Sequence, residues 1–186
     1  MSISRISARY AKSLLDLASD RNEIEPVKKD VDYFLAALKS RDLILFLKSP
    51  IIHSSKKISV FKALFEGKVG TTTMAFFDII IKKGREMYLP EIASDFIKQY
   101  KYLNKISTIT ITTASQLSDA AKNEISAKLL SSNITMDKLD IHTKVNSDII
   151  GGFIIEVEDR LYDASVAHKL EQLKKEFSSN QFVKSF

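Results

Sequence analysis

Apolar residues at the start of the chain recur at spacings of three and four: Ile3, Ile6, Tyr10, Leu14 and Leu17. That spacing draws one stripe along a helix. Ala11, Leu15 and Ala18 draw a second stripe on an adjacent face. A helix apolar on two faces is sandwiched between neighbours or keeps one face for a partner. The same period continues through five more segments. Pro26 stands early in the second helix, where its missing N–H costs little, and Val31, Phe34, Leu35 and Leu38 follow. Leu43 to Leu47 make a short third helix stopped by Ser49-Pro50. Ser54 or Ser55 is expected to cap a fourth, holding Ile58, Phe61, Leu64 and Phe65 and ended by Gly67. Thr71 to Thr73 open a fifth with Met74, Phe76, Phe77, Ile79, Ile80 and Ile81, closing near Gly84. A sixth begins around Pro90 and carries Ile92, Phe96, Ile97, Tyr100 and Leu103. Six helices joined by short polar loops predict a compact bundle.

Near Lys105 the period changes from helical to alternating. Ile106, Thr108, Thr110 and Thr112 alternate with Ser107, Ile109, Ile111 and Thr113, a β-branched run that predicts a strand. Ser118 is expected to cap a helix with Ala121, Ile125 and Leu129, followed by Asn133. Leu139, Ile141, Thr143 and Val145 alternate as a second strand, and Phe153, Ile155 and Val157 as a third. Leu161-Tyr162 is a short extended piece. The last helix sets Val166, Leu170, Leu173 and Phe177 on one face. The expected architecture is an all-α six-helix bundle over residues 1–105, followed by a small α+β domain over 106–186.

Composition narrows the function. The 186 residues are 45% hydrophobic and 27% charged, with a net charge of +5 and a pI near 9.2. The excess positive charge is dispersed in pairs (Lys28-Lys29, Lys56-Lys57, Lys82-Lys83, Lys174-Lys175), with no basic tail. There is no cysteine, which excludes disulfides and thiolate metal sites. The longest apolar run, Ile149 to Ile155, is far short of the ~20 residues that span a bilayer. Arg5, Arg9 and Lys12, with serines and no acid before Asp16, superficially match a mitochondrial transit peptide. The stretch runs unbroken into Leu14-Leu15-Asp16-Leu17-Ala18, so it is read as a structural helix.

Reactive chemistry is missing. No GxxxxGK[ST], GxGxxG or GxSxG pattern occurs. His53, His142 and His168 fall in a loop, a strand and a helix without ligand spacing, so no metal or cofactor site is expected. Glu158-Asp159-Arg160 is turn composition, and Asp163 or Ser165 can cap the last helix. Gly151-Gly152 points to turn geometry at positive φ. Arg85, after Gly84, could recognise an anion but is read by default as a surface charge.

Three segments, in order along nearly the whole chain, resemble the delta subunit of bacterial F-type ATP synthase and its mitochondrial relative, the oligomycin-sensitivity-conferring protein. The first is Ala8-Arg9-Tyr10-Ala11-Lys12-Ser13-Leu14-Leu15-Asp16-Leu17-Ala18. The second runs from Phe76 through Gly84-Arg85 to Leu89-Pro90-Glu91-Ile92. The third joins Gly151-Gly152-Phe153-Ile154-Ile155 to Asp163-Ala164-Ser165-Val166 and Leu170-Glu171-Gln172-Leu173. Ala164 departs from the family's usual glycine. Alanine tolerates positive φ poorly, so a slightly different turn is expected there.

The resemblance implies a non-catalytic stator subunit that keeps the catalytic head from turning with the rotor, so that ion-driven rotation yields ATP. It implies that the N-terminal bundle binds N-terminal helices of the alpha subunits, and that the C-terminal domain engages the end of the b-subunit stalk. It places the protein peripherally at the cytoplasmic face of the bacterial inner membrane, held there through the complex. By family analogy the head-binding groove lies between the first and fifth helices, which nominates Tyr10, Ser13, Leu14, Leu17, Ala75, Ile79 and Lys83. Ile154, Val166 and Leu170 are nominated for the stalk. The alternative from another class is a basic nucleic-acid-binding helical module, whose signature would be a concentrated basic stripe.

Overall fold

A computed structural model describes residues 3–118, 122–125, 137–157 and 160–179. The chain separates into two compact units, one ending at Leu103 and one beginning at Asn104.

The first unit holds α1 (Ile3–Asp20), α2 (Ile24–Ala37), α3 (Arg41–Lys48), α4 (Ser54–Phe65), α5 (Thr71–Lys82) and α6 (Leu89–Leu103), with a 3-10 turn at Glu86–Tyr88. These are the six helices the periodicity predicts. α1 stops where Asn22 turns left-handed (φ 56°) and the Glu23 N–H returns to the Ala18 carbonyl at 2.8 Å. Burial follows the helical period on α2, at Val27, Val31 and Phe34. Phe34, Phe61, Phe65 and Phe77 gather α2, α4 and α5 around one aromatic centre, with Phe34 and Phe77 ring centroids 4.9 Å apart. Leu14, Leu15, Ala11 and Ala18 of α1 are buried, and α1 packs chiefly along α6.

Polar groups fix the register of this packing. Asp30 Oδ2 accepts from the Gly70 N–H at 2.8 Å and from the Thr73 hydroxyl at 2.6 Å, tying α2 to the start of α5. Tyr100 donates to Glu25 Oε1 at 2.6 Å, tying α6 to α2. Lys57 is 2% exposed, and its ammonium donates to the Ser49 carbonyl at 2.7 Å, the Leu47 carbonyl at 3.3 Å and Glu86 Oε1 at 2.5 Å. Neither Ser54 nor Ser55 caps α4, contrary to expectation. His53 holds the N-cap position without a side-chain bond, and its carbonyl accepts from the Lys57 N–H at 3.1 Å. The helix starts one residue ahead of the register a Ser54 cap requires, so both serines lie inside its first turn.

The second unit is an α+β fold. Lys105, at φ 52°, turns the chain into β1 (Ile106–Thr113). β2 (Lys138–Val145), β3 (Phe153–Val157) and β4 (Arg160–Asp163) complete a sheet of order β2-β1-β3-β4. β1 pairs in parallel with β2, Ile109 opposite Ile141, and antiparallel with β3, Ile111 opposite Ile155. Alternation along β1 buries Ser107, Ile109, Ile111 and Thr113. Ile109, Ile111, Ile155 and Val157 form the core, with Leu117, Ile125, Leu139, Ile141 and Phe153 packed against it. Of the helix expected after Ser118, residues 122–125 are described and helical. Ala121, Leu129 and Asn133 lie outside the described residues, as do Glu158 and Asp159 of the expected turn.

The Gly151–Ser165 stretch is built by backbone approach. Gly152 has φ 77°, and a Cβ there would stand 2.3 Å from the Ala164 carbonyl oxygen. The Ala164 N–H returns to the Phe153 carbonyl at 3.0 Å and the Val166 N–H to the Gly151 carbonyl at 2.9 Å. Ala164 itself is not at positive φ, so alanine fits where a different turn is expected. Of the two expected caps of the last helix, α7 (Val166–Ser179), Ser165 serves, its Oγ accepting from the His168 N–H at 3.1 Å; Asp163 Oδ1 accepts from the Ser165 N–H at 2.8 Å, ahead of the helix. Hydrogen bonds from the Ser165 hydroxyl and then its N–H hold the Asp163 carboxyl below the ordinary range.

Candidate functional site

Side-chain bonds link the ends of α1 and α5 and run the two helices in opposite directions. At one end Arg21 Nη1 donates to Thr72 Oγ1 at 3.1 Å, and that hydroxyl donates to Glu23 Oε2 at 2.8 Å. At the other end the Arg85 guanidinium donates to the Tyr10 hydroxyl and lies over its ring, 5.6 Å from the centroid. Tyr10 and Arg21 are three turns apart, roughly 16 Å along the helix. A face of that length lies between the two polar ends.

The nominated residues form one stripe on each helix. On α1 they are Tyr10, Ser13 and Leu17, at offsets of three and seven. On α5 they are Ala75, Ile79 and Lys83, at offsets of four and eight. Leu17 is 38% and Ile79 49% exposed, large apolar groups left at the surface. Ser13, Ala75 and Lys83 are exposed and Tyr10 is half-buried. Leu14 is different: at 2% exposure it belongs to the core and supports the face from beneath. The other flank of α5, with Phe76, Phe77, Ile80 and Ile81, is buried. Ile79 is therefore left outside a helix whose core face is already filled.

Arg85 reaches Tyr10 because α5 ends in a left-handed Gly84 (φ 64°), with the Arg85 N–H returning to the Ile80 carbonyl at 3.0 Å. That turn folds the chain back toward α1. Sequence reasoning treats Arg85 as a surface charge and does not single out Arg9. Here Arg9, Arg85, Tyr10, Ile6 and Ser13 line one notch of about 400 Å3. The available signal is Tyr10 itself, a polar-tipped ring on an apolar stripe. A second hollow, about 420 Å3, lies among α2, α3 and α4 and is lined by Tyr33, Leu43, Phe46, Val60 and Leu64. Ser40, Asp42 and Lys68 also line it.

The stalk nominees do not gather as tightly. Ile154 stands on the face of β3 opposite Ile155 and is half-buried. Val166 and Leu170 lie one turn apart on α7, 38% and 51% exposed, in line with Leu173 and Phe177. Among the described residues no cluster of His, Asp and Glu could hold a metal, and no helix is long and apolar enough to cross a membrane.

Comparison with known proteins adds what geometry does not. The family model for the ATP synthase delta (OSCP) subunit matches residues 6–177. ATP synthase subunit delta of Cytophaga hutchinsonii is 32% identical, over 96% of this chain and 97% of its own. That of Christiangramia forsetii is 35% identical, over 96% of both chains. A chain in the structure of the Toxoplasma gondii mitochondrial ATP synthase hexamer shares the fold, with a TM-score of 0.72 at 21% identity, over 94% of this chain and 98% of that one. With matches running nearly end to end, the chain belongs to the ATP synthase delta (OSCP) subunit family, a non-catalytic stator component of that complex.

Proposed function

We propose that the α1/α5 face receives an N-terminal helix of the alpha subunits, while the second unit engages the end of the b stalk, so that one chain joins the head to the stator. In this reading the protein sits at the cytoplasmic face of the bacterial inner membrane through the complex alone. The observation that carries it is the exposure of Leu17 and Ile79, large apolar groups on two helices whose ends are tied by polar contacts. A helix lying between α1 and α5 would bury those side chains, and helix-in-groove docking uses anchors at this spacing. A stator joint works under torque, which favours buried anchors whose loss speeds dissociation. On the second unit, the exposed row Val166, Leu170, Leu173 and Phe177 offers the same kind of surface to a stalk helix.

Calorimetric titration of the full chain with a peptide of the alpha-subunit N-terminus tests the first half of the proposal. Ile79→Asp is expected to weaken binding by about 2 kcal/mol or more, roughly 30-fold. Leu64→Asp, in the hollow among α2, α3 and α4, is the control. An equal loss there, with Ile79→Asp unchanged, would move the site away from α1 and α5.

A further inference from the structure

We infer that the notch where Arg85 crosses Tyr10 beside Arg9 is an anion socket, and that it takes the carboxylate of an acidic side chain on the helix docked between α1 and α5. The inference rests on that docking and adds the chemistry of its polar end.

The inventory of donors carries it. The Arg85 guanidinium donates to the Tyr10 hydroxyl oxygen, so the phenol's own proton needs a different acceptor. The Ser13 hydroxyl is already committed, donating to the Tyr10 carbonyl at 2.8 Å. Arg9 is exposed and makes no hydrogen bond or ion pair among the described residues. Glu86, the acid adjacent to Arg85, is taken by Lys57 at 2.5 Å. The notch therefore presents two guanidinium groups and one phenolic O–H, with no carboxylate among the described residues lining it. A donor set without an acceptor, beside a cation fixed over a ring, fits an anion from outside.

The source of that anion follows from position. The notch sits at one end of an apolar face about three turns long, so a helix lying on the face brings a side chain to it. The opposite end, Arg21–Thr72–Glu23, contains its own carboxylate and is satisfied. Only one end calls for negative charge. The socket thus gives a docked helix a direction and a register, which a strip of leucine and isoleucine alone does not.

The test is a cycle with the full chain and a fluorescently labelled peptide of the alpha-subunit N-terminus. Arg85→Gln, at an exposed position and checked for an unchanged far-UV circular dichroism spectrum, is expected to weaken binding about tenfold, the scale of a charged hydrogen bond. It should also flatten the dependence of affinity on salt. Replacing the peptide's acidic residues one at a time by their amides should find one that costs the same tenfold against the wild type and almost nothing against Arg85→Gln. Affinities within twofold for Arg85→Gln and wild type, or losses that simply multiply for every acidic position, overturn the socket. If Ile79→Asp abolishes binding while Arg85→Gln does not matter, the docking stands and the socket falls. If the wild type binds no peptide, both fall. Binding to phosphatidylserine vesicles that Arg85→Gln abolishes, with peptide affinity unmoved, assigns the notch to a lipid headgroup and also overturns the proposal.

Discussion

Lys57→Met probes the one fully buried charge among the described residues of the bundle. Lys57 joins three elements: the carbonyls of Leu47 and Ser49 at the end of α3, its own helix α4, and Glu86 in the 3-10 turn before α6. At 2.5 Å, with an effective dielectric near 20, the Lys57–Glu86 attraction is about 7 kcal/mol. Desolvating both ions offsets most of it, so the intact pair contributes little net stability. Removing only the lysine is another matter. Glu86 keeps a charge at 13% exposure, its Oε2 is buried without a hydrogen-bond partner, and two carbonyls lose their donor. Breaking such a pair costs about 3–5 kcal/mol. Methionine keeps the unbranched stem, so the loss reports charge rather than a cavity. Urea unfolding followed at 222 nm, where the six helices dominate, should show a midpoint lower by about 1–3 M for a typical slope. The double substitution Lys57→Met with Glu86→Leu should recover most of the loss. A single variant within 1 kcal/mol of wild type, or a double variant no better than the single, would refute the reasoning.

Two further outcomes are expected. Gly152→Ala should cost about 3 kcal/mol or more, since it adds the 2.3 Å approach to the Ala164 carbonyl to a left-handed φ, while Gly84→Ala, left-handed with open space around it, should cost only about 1–2 kcal/mol; equal losses by chemical denaturation would contradict the close approach. The Tyr100 hydroxyl, held by the Glu25 carboxylate and by burial, titrates at about 12 instead of 10.0. Its contribution is therefore complete below pH 10 and fades as pH rises through 12, so the stability gap between wild type and Tyr100→Phe should close over that window. A gap that stays constant from pH 9 to 12 would rule this out.

Much of the fold is legible in the chain because it is periodic. Each of the six helices carries apolar residues every three to four positions, and β1 alternates cleanly enough to name its buried face by residue. Long-range pairing is not periodic, and there the reading stops. Leu14 and Leu17 share one stripe, yet one is 2% and the other 38% exposed, because α6 covers only part of that stripe. Lys57 reads as a solvated lysine, for nothing local announces Glu86, 29 residues onward. The Arg85–Tyr10 contact spans 75 residues and depends on the turn made at Gly84. Strand order, with β2 parallel at the sheet edge, leaves no mark in alternation either.

The closing partner of α1 is the last helix of its unit. Gln99 donates to the Ala8 carbonyl at 2.9 Å, and Ser7 donates to Asp95. On the ribosome α1 is made before α6, and that cover, ending at Leu103, is completed 83 residues after Asp20. At ordinary elongation rates that is roughly 4–17 s during which the first helix has no lid on its apolar flank. A nascent chain therefore has α1 and α6 packed together only once its helical unit is complete, so the order of translation sets when the apolar flank of α1 is covered.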